Sequence, residues 1–315
     1  MSSIFSITTA AELEQACLAT FRRQAQACEP YSRYLSYLGV RREAVSSTAQ
    51  IPFLPVELFK TERIVCGDAA AQITFVSSGT TGAATSRHHI SDVRLYEESF
   101  LRGFEHFYGA PQKYCILALL PGYAERQGSS LVYMVERLVE QSAHPQGGFF
   151  LHNHGELAAR LELLQRQRQP TILIGVSFAL LDLAERHPLR FPGLIVMETG
   201  GMKGRRRELP REELHQLLCS SFGVAAIHSE YGMTELLSQA YSSGGGRFFA
   251  PPWMRVSLRD LHNPFAPAAA GVAGGVNVID LANQNSCSFI ETQDLGKVNA
   301  DGSFEALGRI DHSLS

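Results

Sequence analysis

Apolar positions along the chain change spacing from one region to the next. Residues 9–27 carry Leu13, Ala16, Cys17 and Phe21 at helical spacing behind a threonine-rich start suited to a cap, which predicts an N-terminal helix. From residue 72 onward short apolar runs alternate with helical ones. The segments "QITFVSS", "KYCILALLP", "TILIGVS", "GLIVMETGG" and "VAAIHSEYG" read as strands; those near 91–107, 128–141, 154–168, 177–187 and 210–222 read as helices. Strands apolar throughout, separated by helices, predict a mainly parallel sheet covered on both faces. The fold class is therefore α/β.

Two stretches fall outside this alternation. In "IPFLPVELFK", Pro52 and Pro55 forbid a regular helix or a central strand and predict an extended, packed lead-in. Beyond residue 244, turns rich in Gly, Pro and Ala separate short strands such as "GGVNVIDLA", "CSFIETQDLG" and "GSFEALGRID", which predicts an antiparallel or barrel-like subdomain. The expected division is a helical lead-in over 1–70, an α/β core over 71–243 and a β-rich part over 244–315.

Composition narrows the function. The chain has 315 residues, 45% of them hydrophobic and 19% charged, enough to bury a substantial core. Lys and Arg number 28 against 31 Asp and Glu, and a net charge of −3 gives no field to draw in a nucleic acid backbone. Six cysteines are scattered without a metal-ligand spacing and read as reduced thiols. The N-terminus lacks a basic segment followed by an apolar core, and no window approaches ~18 apolar residues. The expectation is a cytoplasmic protein with no membrane span.

Chemistry concentrates where apolar runs end. "ITFVSSGTTG" leads from a strand into Ser77, Ser78, Gly79, Thr80, Thr81 and Gly82. Its glycines permit the turns that aim successive amides at an anion, and its hydroxyls add donors, so the loop suits a polyphosphate. It is not a Walker loop, because no lysine follows and Arg87 is the nearest cation. "VMETGGMKG" ends in Gly200 and Gly201, and "IHSEYGMTE" brings Tyr231, Gly232, Thr234 and Glu235 to one turn. A tyrosine ring stacks on a purine, a threonine hydroxyl bonds a phosphate oxygen, and a carboxylate holds Mg2+. The pairs His88/His89 and His152/His154 lack companions at ligand spacing and are read as surface or locally hydrogen-bonded. Lys203, Arg205, Arg206 and Arg207 form a basic cluster read either as a docking patch for an acidic carrier or as a solvated loop.

The segments "SSGTTG", "GGMKG", "YGMTE", "TQDLGKVNADG" and "GRID", in this order, resemble the signature motifs of the adenylate-forming (ANL) superfamily of acyl and aryl acid ligases. "IPFLPVELFK", "LLPGYAERQGSSLVYMV" and "SEYGMTELLSQAY" further resemble its acyl-protein synthetase branch of the LuxE type. The resemblance covers roughly residues 45–311. It implies a large N-terminal domain of the adenylate-forming fold and ATP with Mg2+ as cofactors. Ser78, Gly79, Thr80, Thr81 and Gly82, beside Ser77, would wrap the β- and γ-phosphates. Gly200, Gly201 and Tyr231, with Gly232 beside them, would form an adenine slot; Thr234 would meet the α-phosphate, Glu235 the metal, Asp294 the ribose hydroxyls and Arg309 ribose or phosphate. The implied reaction activates a carboxylic acid, expected to be a fatty acid, as an acyl-adenylate and passes the acyl group to a protein thiol.

Two departures stand beside these matches. "AATSRHH" follows the loop where the family has a lysine, leaving Arg87 or the loop amides alone to serve the phosphates. The sequence stops at Ser315, four residues after the hinge position Asp311, so the family's mobile second domain and the branch's acceptor cysteine are expected to be absent. An acyl-carrier or other acyl-accepting protein is then the expected partner. Two rivals remain: a catalytically weak nucleotide- or acyl-binding subunit of a larger complex, and an acyl- or aryl-CoA ligase.

Overall fold

Local signals begin the chain as the pattern predicts. Thr9 caps α1 (Ala10–Ala27): its side chain accepts from the Glu12 amide, and Glu12 accepts from the Thr9 amide, a reciprocal capping box. The computed structural model describes residues 4–78, 85–121, 126–200 and 209–310. It divides into two compact units, one from Met1–Arg102, Gly232–Gln239 and Phe249–Ser315, the other from Gly103–Tyr231 and Ala240–Phe248.

The first unit continues through α2 (Glu29–Tyr37), β1 (Leu54–Pro55), α3 (Leu58–Thr61), β2 (Ile73–Val76), β3 (Arg87–Ile90) and the start of α4 (Val93–Tyr108). The second holds β4 (Cys115–Leu119), α5 (Ser130–Ser142), β5 (Gly148–Phe149), α6 (His154–Gln167), β6 (Thr171–Gly175), α7 (Ser177–Arg186) and β7 (Leu194–Thr199). Then come α8 (Arg211–Phe222), β8 (His228–Tyr231) and β9 (Ala240–Ser242). The chain returns to the first unit with β10 (Met254–Arg259), β11 (Gly274–Asp280), β12 (Phe289–Val298) and β13 (Phe304–Arg309).

In the second unit the strands lie in the order β5-β4-β6-β7-β8-β9, parallel except for the antiparallel β9. Every residue of β4 and β6 is buried, as strands covered on both faces require. Helices supply the crossovers between parallel neighbours. At the end of α8, Gly223 takes a left-handed φ of 65° and stops the helix.

In the first unit β10, β11, β12 and β13 form an antiparallel meander. One edge of β12 is shared: β1 pairs with Ile290 and Glu291, and β13 takes over from Asp294 to Val298. Pro55 lies on that short edge strand, where its missing N–H costs least. Phe21, Tyr31 and Phe289 meet at centroid distances of 6.1–6.4 Å and tie α1, α2 and β12 into one core. Gln24 of α1 donates to the carbonyls of Asn283 and Gln284 and accepts from the Ser288 amide.

One expectation is corrected. The run containing Ile73–Val76 does not join the parallel sheet; it pairs antiparallel with β3 in a separate two-stranded ladder, Val76 opposite Arg87. The connection from residue 77 to 86 is too short for a parallel crossover, which needs a dozen or more residues. His88 and His89 therefore lie in a strand. All six cysteines are free thiols, and among the described residues no helix is long and apolar enough to cross a membrane.

Candidate active site

The turn carrying Thr234 and Glu235 belongs to the first unit and is fixed through its backbone. His88 of β3 donates from Nδ1 to the Thr234 carbonyl at 2.9 Å, while its Nε2 lies 3.0 Å from the Ser286 hydroxyl. A carbonyl can only accept, so Nδ1 carries the proton and Nε2 accepts from Ser286. Burial pushes the His88 imidazole down to about 4, which keeps it in this neutral form. Asn283 donates to the Glu235 carbonyl at 2.8 Å. Just beyond, the buried Asp280 carboxyl accepts from the amides of Leu237 and Ser238 at 2.7 and 2.9 Å and from the Ser238 hydroxyl at 2.6 Å.

This scaffold presents a buried carboxylate. Glu235 is 4% exposed, and burial raises its pKa above the usual carboxylate value. A hydrogen bond from the Ser86 side chain, its own amide and the Arg309 charge pull it back, while Asp294 raises it further. Asp294 and Arg309 are register partners on β12 and β13, with Arg309 Nε 3.9 Å from Asp294 Oδ1. Their side chains are 19% and 74% exposed, so Asp294 is largely covered while Arg309 reaches into solvent. Glu235, Asp294 and Arg309 thus share one electrostatic neighbourhood.

Ser86 connects this group to the loop base. The Ser77 amide donates to the Ser86 carbonyl at 3.1 Å, and the Ser86 amide donates to the Ser77 hydroxyl at 2.9 Å. Ser77 and Ser78 are therefore placed at the mouth of the loop, while Gly79, Thr80, Thr81 and Gly82 lie outside the described residues, as do Gly201, Asp311 and the basic cluster at Lys203, Arg205, Arg206 and Arg207. Strand alternation puts Ser86 and His88 on the buried face and leaves Arg87 exposed on the other. Arg87 does not share the face that carries Ser86 toward Glu235.

A further cation lies buried in the first unit. Arg259 of β10 donates to the carbonyls of Val276 and Thr292 and to Asn277, and its Nε is 3.3 Å from Glu291. Gly275 makes room for it, since a Cβ there would stand 2.5 Å from the guanidinium carbon.

Gly200 and Tyr231 stand in the second unit, at the ends of the neighbouring parallel strands β7 and β8. Gly200 has φ 42°, a left-handed value that favours glycine. The Tyr231 ring packs against Phe248 at 5.9 Å. Behind them, Glu198 is buried: Ser177 donates to it at 3.1 Å, and His215 Nε2 is 3.7 Å away. Burial pushes that carboxyl up, but His215, Arg211 and Ser229 outweigh it and hold Glu198 below the usual value.

Among the described residues no group of three or more His, Cys, Asp or Glu side chains can hold a metal. The donor set nevertheless fits Mg2+, which is commonly held by one or two carboxylates together with substrate phosphate oxygens rather than by a cage of protein ligands. Glu235 is a buried oxygen donor of that kind.

Solved structures share this architecture. An open conformation of 2-hydroxyisobutyryl-CoA ligase, in complex with 2-HIB-AMP and CoA, aligns over 99% of this chain and 79% of its own with a TM-score of 0.71 at 15% identity. The same ligase in the postadenylation state with 2-HIB-AMP aligns over 98% and 71%, at a TM-score of 0.71 and 16% identity. The chain has the adenylate-forming fold. ATP-bound MatB from Rhodopseudomonas palustris is similar over 77% of this chain and 49% of its own length, with a TM-score of 0.57 at 19% identity. The chain therefore spans about half of that protein. No protein-family model and no curated protein matches the sequence. At these identities the likeness reaches the fold and leaves the acyl-protein synthetase branch to the motifs.

Of the groups that hold this site, His88 was set aside from the sequence as surface or locally bonded, and that reading is corrected. It is buried, and its partners lie 146 and 198 residues away. Asp280 and Asn283 carried no sequence signal beyond being polar in an apolar stretch.

Proposed function

We propose that this protein is an ATP-dependent ligase that activates a carboxylic acid as an acyl-adenylate and passes the acyl group to a protein thiol. The observation that carries the reading is the buried Glu235 carboxylate, held beside Asp294 and Arg309 on an adenylate-forming fold. Ser77, Ser78, Gly79, Thr80, Thr81 and Gly82 offer amides and hydroxyls to the β- and γ-phosphates. Gly200, Gly201, Tyr231 and Gly232 border the adenine, Asp294 accepts from the ribose hydroxyls, and Thr234 donates to the α-phosphate. Arg309 adds positive charge at ribose or phosphate.

The substrate carboxylate attacks the α-phosphorus, the bond to the β-phosphate oxygen breaks, and pyrophosphate leaves. Two anions must approach each other, so preorganised donors matter more than proton transfer. Mg2+, when bound at Glu235, would supply the charge neutralisation that the phosphates require. Ser86 and Asn283 hold Glu235 in place by its side chain and backbone.

ATP–pyrophosphate exchange over a panel of acids tests this reading. Exchange that falls about 10²–10³-fold in Glu235→Gln supports it. ATP binding without exchange for any acid would instead favour a nucleotide-binding subunit. The solved CoA ligases favour a second reading for the acceptor alone, with CoA in place of a protein thiol. Thioester formation with free CoA against formation on a carrier protein separates the two.

A further inference from the structure

Two cysteines meet at the junction of α1 and α2. Cys28 closes the first helix and opens the second in an extended conformation, with φ −97° and ψ 99°. That bend sets it opposite Cys66 in an isolated antiparallel bridge. The Gly67 amide donates to the Ala27 carbonyl at 2.8 Å, a bond that flanks the pair rather than joining it. Cys28 and Cys66 therefore form the narrow kind of antiparallel pair, whose Cα atoms stand about 4.5 Å apart and whose side chains approach most closely. Disulfides accept Cα separations from about 4.4 Å upward, so the bond fits here without moving the backbone. The sulfurs already interact: a hydrogen bond joins the Cys28 thiol to Cys66.

The two thiols differ in their surroundings. Cys28 is fully buried, and the hydrogen bond to Cys66, then burial, push its thiol up. Cys66 is half-buried, and the exposed Gly67, Asp68 and Ala69 follow it. The hydrogen bond from Cys28 lowers its thiol against the opposing effect of burial, and the Arg23 charge adds to that lowering. Burial raises the thiol of Cys219, the other partly exposed cysteine. Cys287 is buried and turned away, its thiol donating to the Phe289 carbonyl at 3.4 Å. An accessible thiol with a lowered pKa beside a second, buried sulfur is the arrangement of an attacking and a resolving cysteine.

We propose that Cys28 and Cys66 are a reversible oxidation site, closed to a disulfide by hydrogen peroxide and opened again by a thiol reductant. The Cys66 thiolate attacks one peroxide oxygen, the O–O bond breaks, and a sulfenic acid forms while the leaving hydroxide takes up the proton shed by the thiol. The Cys28 sulfur then displaces the hydroxyl of that sulfenic acid, and its own proton leaves with the hydroxyl as water. Two thiols lose two electrons and two protons, and one peroxide becomes two waters. In the reduced state the Cys66 thiol donates to the Ser286 carbonyl at 3.2 Å, and the Ser286 hydroxyl bonds His88 behind Thr234. The disulfide removes that donor.

Peroxide treatment of the folded full chain tests it, followed by unfolding, thiol titration and peptide mapping without reductant. The expected result is a loss of two of the six thiols and a peptide pair joined through Cys28 and Cys66, both reversed by dithiothreitol. In Cys28→Ser the peroxide should instead leave a sulfenic acid on Cys66 that dimedone captures. In Cys287→Ser the link between Cys28 and Cys66 should still form. The mapping of the parent chain decides the matter whatever the stability of either variant. Six thiols surviving the treatment, a link through any other pair, or Cys66 oxidised to the sulfinic acid with Cys28 still free overturns the inference. It concerns these two thiols alone, so it stands or falls apart from acid activation.

Discussion

The turn holding Thr234 and Glu235 and the strand ends holding Thr199 and Glu230 each carry one buried polar side chain, Glu235 and Thr199, in different surroundings. Around the turn, His88, Asn283 and Asp280 satisfy backbone groups of Thr234, Glu235, Leu237 and Ser238. At the strand ends a buried hydroxyl goes unbonded beside a carboxyl held neutral. Several bonds to its backbone fix the turn in one geometry, although Asn283 Oδ1 is itself buried without a partner, whereas the Thr199 hydroxyl adds no bond at the strand ends.

This contrast can be broken by mutation. Asp280→Ala removes the acceptor for three amides and one hydroxyl, and should cost about 3 kcal/mol or more in urea unfolding. A loss under about 1 kcal/mol would show the network to be dispensable. His88→Ala leaves the Thr234 carbonyl and the Ser286 hydroxyl without their buried partner, with an expected loss of about 2–3 kcal/mol.

The two regions should also respond to pH in opposite directions. His88 is lowered from its ordinary 6.5 to about 4, so the unfolded chain binds the extra proton and stability falls as pH drops from 6.5 towards 4. Glu230 is raised from 4.5 to about 8, so its contribution is full below 4.5 and is lost as pH rises towards 8. Thermal unfolding of Glu230→Gln should therefore decline less than the parent between pH 5 and 8. An identical decline in both would remove Glu230 from the account. The smallest effect belongs to Thr199→Val, which exchanges an unbonded hydroxyl for a methyl and should change stability by no more than about 0.5 kcal/mol, or raise it. A loss above about 1 kcal/mol would mean that the hydroxyl is already engaged.

Much of the framework was legible because periodicity and caps are local. The helix expected near 210–222 is Arg211–Phe222, that near 154–168 is His154–Gln167, and Thr9 caps α1 as its position suggests. The apolar runs of β4, β6 and β7 became parallel neighbours. Ile73–Val76 misled because four apolar residues do not reveal the direction of the partner strand; the length of the following connection does. Thr234, Glu235, Asp294 and Arg309 were singled out as candidates by their motifs. The groups that hold Thr234 and Glu235 were not: Asn283 bonds across 48 residues and His88 across 146, separations over which a single sequence carries no periodic signal. Thr199 was hidden for another reason, since an unmet hydrogen bond is a property of packing.

The central claim is that Glu235 serves a nucleotide-dependent activation of a carboxylic acid. The most direct measurement compares ATP–pyrophosphate exchange by the parent chain and by Glu235→Gln at saturating acid and ATP, with both proteins shown to be equally folded. Exchange that depends on the acid and drops about 10²–10³-fold in the variant is the predicted result. Exchange that continues undiminished in Glu235→Gln would contradict the assignment of this carboxylate to the chemistry.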